Sequence, residues 1–125
     1  MSNISKMFVM SSVVFLLIGM VWGIQMSATQ DHSLAPAHGH LNLIGFVMMM
    51  MTGIYYAVTP AAAQSSLAKI HFGGMILTIV IMAPGIAMAI NGDGDTLAKL
   101  GSILGVVVVL LFGWIVVKFG VGSDG

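Results

Sequence analysis

Two histidines, His38 and His40, stand one residue apart in the segment APAHGHLNLIGF (35–46), and Asn42 follows them. Imidazole nitrogens ligate metals and move protons. This pair lies just inside a strongly apolar run, where an ionisable side chain is costly and needs a partner. Residues two apart on an α-helix are rotated by about 200°, so side chains 38 and 40 leave opposite sides of the helix. They cannot hold one ion together, and each needs a partner of its own. Asn42, one turn after His38, is placed to hydrogen-bond a histidine or a ligand group and so support the site. His32 lies in the preceding polar loop beside Asp31 and reads as a solvated residue or a further ligand. Asp31, His32, His38 and His40 together have ligand chemistry suited to zinc or copper.

The elements that must position these residues follow from composition. Of 125 residues, 58% are hydrophobic and 6% charged, which is too apolar for a soluble domain of this size. A bilayer span takes roughly 20 apolar residues. The chain predicts four such helices, over 5–28, 36–58, 67–90 and 97–119. Apolar and polar residues do not alternate, so a transmembrane barrel is not supported. The expected fold is all-α, an integral membrane four-helix up-down bundle with 1–125 as a single transmembrane domain. The first apolar run is longer than the core of a signal peptide and reads as a helix.

Lys6, Lys69 and Lys118 fall at one membrane face, and Lys99 falls at the other with Asp31, Asp93 and Asp95. Positive charge collects on the cytoplasmic side, so both termini are expected inside, in a bacterial inner membrane. His32, His38 and His40 then lie toward the periplasm. His71, beside Lys69 near the start of the third helix, is expected at the opposite interface, about 30 Å away, too far to share a ligand with them.

The remaining features read as packing or as exclusions. Gly19 and Gly23, like Gly101 and Gly105, have the four-residue spacing that lets helices approach closely. Pro84 is expected to kink the third helix. Met48 to Met51 fan around a helix at about 100° per residue, so they pack rather than converge on a Cu(I) ion. Tyr55 and Tyr56, just before Pro60, read as an interfacial aromatic belt. The sequence has no cysteine, which excludes disulfides, iron–sulfur clusters, thiolate zinc and covalently attached heme. Zero net charge and no basic cluster leave nucleic-acid binding without support.

The segment PAHGHLNLIGFVMMMMTGIYYAVTP (36–60) resembles the histidine-bearing helices of the heme-copper oxidase superfamily, oxidases and nitric oxide reductases alike. Ala37-His38-Gly39 is similar to the low-spin heme ligand motif of subunit I. His40-Leu-Asn-Leu, with Tyr55, Tyr56 and Pro60 downstream, is similar to the reductase pattern His-Thr-Asn-Leu. His38-Gly39-His40 resembles a His-x-His whose two histidines hold two hemes. The segment LAKIHFGGM (67–75) has a weaker likeness to helix starts in the same family.

Subunit I of that family has three arcs of four helices, with metal ligands on the second helix of each arc. The resemblance therefore implies that this chain is a single arc, and that a homotrimer mimics the twelve-helix subunit. In that arrangement His38 of one chain and His40 of its neighbour are the axial ligands of a heme b, up to three per trimer, with Asn42 in support. The chain has no His-His pair for a copper centre. The implied function is electron transfer, or redox and gas (NO, O2) binding, with a redox partner protein or a quinone and the lipid bilayer as partners. Two other readings stand beside it: a zinc- or copper-binding membrane module using Asp31, His32, His38 and His40, and a small structural subunit of a respiratory or photosynthetic complex. Whether the chain is an enzyme is left open by its residues.

Overall fold

In the computed structural model, which describes residues 2–124, the chain is helical throughout with short connections. Four helices are long and apolar enough to cross a membrane: α1 (Asn3–Thr29), α2 (Ala35–Val58), α3 (Ser66–Ile90) and α4 (Thr96–Phe119). Each coincides with a span expected from composition. The first begins at Ser2, whose side chain accepts the Ser5 N–H at 3.3 Å, satisfying one of the donors a helix N-terminus leaves free. It ends where Gln30 turns left-handed at φ 56°.

The helices pack in chain order. α1 lies along α2, α2 also meets α3, and α3 lies along α4, whereas α1 and α4 form no extensive contact. The four therefore make an open arc, not a closed ring. Lipid tails are as apolar as leucine, so association in a membrane depends on close packing and hydrogen bonds. Glycine supplies the closeness at both long interfaces, and reciprocally. Across α1 and α2, any side chain at Gly19 would overlap Asn42 Oδ1, and one at Gly45 would come within 2.8 Å of Phe15 Cβ. Across α3 and α4, a side chain at Gly101 would come within 2.9 Å of the Met82 Cα, and one at Gly74 within 2.8 Å of a Val108 methyl.

One stretch departs from α-geometry. Residues Leu41–Met48 of α2 are wound as a π-helix, in which each turn takes in an extra residue. A plain α-helix would carry an every-fourth-residue row steadily around its axis. The wider winding instead keeps Ala37, Leu41, Gly45 and Met49 all buried on one face. The methionine run does fan out, since Met49 is fully buried and Met51 is 64% exposed. α3 remains helical through Pro84. Between α2 and α3, Pro60 opens a single helical turn, Pro60–Ala63, within the expected loop, a position suited to its fixed φ.

The C-terminal segment ties down the α2–α3 connection. Ala61 N donates to Ser123 O at 3.1 Å, and Gly122 N donates to Thr59 Oγ1 at 3.0 Å. Tyr55 belongs to the same lock, donating its hydroxyl to Gly120 O at 2.7 Å.

The glycine contacts predict a graded response. Gly101→Val forces a branched side chain onto the Met82 backbone and should destabilise the protein by about 1–3 kcal/mol. Gly73→Ala and Gly113→Ala meet nothing within 4 Å and should be neutral or stabilising by up to ~1 kcal/mol, the helix propensity gain. Thermal unfolding of the three variants in one detergent checks the order.

Candidate functional site

His38 and His40 sit in the first turns of α2, where Pro36 occupies an early helical position. Their side chains diverge as the 200° rotation requires. His38 turns toward α1, with its Nε2 2.9 Å from Gly19 O and 3.2 Å from Asn42 Nδ2. The Trp22 indole meets its ring edge-on, at a centroid distance of 5.7 Å and an angle of 89°. Gly23 gives this ring room, since a side chain there would lie 3.4 Å from His38 Nε2. The glycine pair of α1 is thus a seat for two polar side chains of α2 as well as a packing surface.

This seat holds more hydrogen-bonding capacity than it satisfies. Gly19 O calls for a donor on Nε2, while Asn42 Nδ2 calls for an acceptor on the same nitrogen, and one neutral ring nitrogen serves one role at a time. Asn42 Oδ1 is buried and has no partner. Asn42 does meet a histidine, as its one-turn spacing from His38 suggests.

His40 is the opposite case. It is exposed, and its Nδ1 lies 2.7 Å from Pro36 O. A backbone carbonyl accepts, so Nδ1 carries the proton and Nε2 keeps its lone pair. Around it on the same side of α2, Pro36, Gly39, Leu43 and Val47 are exposed as well.

The loop residues do not join either histidine. Asp31 Oδ1 accepts Ser33 N at 3.0 Å, and hydrogen bonding from the Ser33 side chain and backbone holds its carboxyl below the usual range. With Gln25, Thr29 and Ser33 it rims a cavity of about 160 Å³ against Trp22. Among the described residues, no three His, Cys, Asp or Glu side chains come together as a metal site. Asp31, His32, His38 and His40 are therefore not gathered into one.

At the other end of the bundle, the interfacial reading of His71 and the tyrosines gives way to a buried cluster. His71 is 1% exposed and Tyr56 is fully buried. Tyr56 Oη lies 2.8 Å from His71 Nδ1. Phe112 stacks on the imidazole at 5.0 Å, and Phe8 flanks it at 5.1 Å. Sequence reasoning placed His71 beside Lys69 and took both for the surface, but two helical residues separate them. Lys69 faces out and His71 faces in. The legible signal was the spacing from His71 to Met75 and Thr78, a helical stripe of which every member is buried.

Tyr56→Phe keeps the packing but leaves His71 Nδ1 without its donor, at an expected cost of about 1–3 kcal/mol. Adding His71→Phe removes the orphaned nitrogen, so the double variant should lose less than the sum of the singles. A thermal-unfolding double-mutant cycle measures this, and additive losses would show that the pair is uncoupled.

Compared with protein-family models, with curated proteins and with solved structures, the chain matches none.

Proposed function

We propose that this chain is a membrane-embedded heme b protein that transfers electrons, with His40 as an axial ligand of the iron. The observation that carries the reading is the state of the His40 ring. Its Nδ1 is fixed by Pro36 O and its side chain is exposed, which leaves Nε2 oriented, unprotonated and available. An orienting bond on the other ring nitrogen is the usual support of a ligating histidine. The surroundings fit a flat, largely apolar group: Gly39 presents no side chain, a Cβ there would touch nothing within 4 Å, and Leu43 and Val47 are exposed beside it.

Heme, when bound, supplies one-electron chemistry, and two histidine ligands leave its iron no open position. This favours electron transfer over oxygen chemistry; gas binding would follow release of one ligand. The chain's own part is to hold the imidazole in one tautomer and to surround it with apolar side chains. The second ligand comes from a neighbouring copy, because His38 is turned into the α1–α2 seat and His71 lies in the cluster at the far end of the bundle. The open arc of four helices, with the histidines on the second, supports the likeness to one arc of an oxidase subunit. In this reading the protein lies in a bacterial inner membrane with His40 toward the periplasm.

Detergent-purified protein expressed with ample heme should show a Soret band and a sharp reduced α-band, with heme b by pyridine hemochrome. His40→Ala should abolish both bands. A colourless wild-type protein would overturn the heme reading and direct attention to zinc and copper analysis.

A further inference from the structure

Two neighbouring histidines invite the assumption that both are ligands, one to each of two sites. Their surroundings assign them different work. His38 Nε2 faces Gly19 O and Asn42 Nδ2, at 2.9 and 3.2 Å, and its ring is edged by Trp22. To ligate anything outside the chain, it would have to leave that seat and strand Asn42, whose Oδ1 already lacks a partner. His40 has no such tie, because its one bond runs through Nδ1 to its own helix. It also heads a continuous apolar stripe of α2, with Leu43, Val47, Met51, Ile54 and Val58 all exposed. Neither α1 nor α3 covers this stripe.

Resting on the heme reading above, we infer that the site is symmetric: His40 of one chain and the same residue of a second copy bind opposite faces of a single heme b across a two-fold axis. The argument is one of valence and symmetry. Each chain offers one free imidazole nitrogen at this end of the bundle, and a bis-histidine heme takes two. When both ligands are the same residue from identical chains, the operation relating them is a two-fold rotation, and the contact is isologous. The site is therefore incomplete in one chain and complete in two. His38 is a positioning residue of the α1–α2 interface and no ligand.

This assignment differs measurably from a ring of three chains in which each heme takes His38 from one copy and His40 from the next. The symmetric site holds half a heme per chain; the ring holds one. The test is heme per chain by pyridine hemochrome and quantitative amino-acid analysis, with particle mass by light scattering corrected for detergent. It is run on wild type, His38→Gln, His32→Ala and His40→Ala. The glutamine can still donate to Gly19 O, so that variant keeps the seat.

The expected result is close to 0.5 heme per chain in a dimer, unchanged in His38→Gln and His32→Ala and lost in His40→Ala. Added imidazole should restore the reduced α-band to His40→Ala, which separates a lost ligand from a lost fold. One heme per chain, or loss of heme in a helical and monodisperse His38→Gln or His32→Ala protein, would overturn the symmetric site and leave the heme reading intact. A wild type without heme would overturn both.

Discussion

An imidazole inside an apolar bundle has no water to turn to, and the three histidines carried by the helices of this chain are organised around that shortage. His71 finds Tyr56, His38 finds Gly19 O and Asn42, and His40 finds the carbonyl of its own Pro36. Each solution imposes a requirement elsewhere. The first needs Phe8 and Phe112 to close over the pair from two other helices. The second needs glycine at positions 19 and 23 of α1, because a Cβ at either would crowd the polar side chains opposite. The third is local and asks nothing of a neighbour, which is why His40 alone can remain exposed.

The same shortage explains how the helices adhere. Burial of apolar surface gives little drive when the surrounding solvent is itself apolar, so backbones must come close enough for dispersion to add up. At the α1–α2 interface, Gly19 and Gly23 receive side chains from α2, while Gly45 and Gly53 receive Phe15, Phe8 and Val9 from α1. The α3–α4 interface repeats the pattern with Gly74 and Gly85 on one helix and Gly101 and Gly105 on the other. Two helix pairs built in this way, joined through α2 and α3, leave the outer faces of α1 and α4 clothed in exposed Val, Leu and Ile, as a membrane permits.

Much of this was legible in the sequence because it rests on local regularity. Span positions follow from apolar runs, the divergence of His38 and His40 from helical rotation, and the close approach at Gly101 and Gly105 from their spacing. The π-wound stretch was not legible. Its advantage appears only once Ala37, Leu41, Gly45 and Met49 are required to face the same neighbours, which is a tertiary demand. Tyr55 and Tyr56 misled for a related reason. A tyrosine near a helix end suits the membrane interface, but here their hydroxyls have protein partners, Gly120 O and His71. Those partners lie 65 and 15 residues away in sequence, beyond any local pattern.

The contrast between His38 and His40 is the most informative consequence of the fold, and it turns on the intervening glycine. A helix that presents one histidine inward and the next outward brings two polar groups to the same depth on opposite faces. Gly39 between them is exposed and contacts nothing, so it adds no bulk on the side where His40 stands. The π-winding then continues below, holding His38 and Asn42 in register against α1 while Leu43 and Val47 follow His40 outward. An inward histidine that anchors the helix and an outward one that is oriented but unfilled are what a shared site requires. The first fixes the rotation of α2, and that rotation decides where the second points.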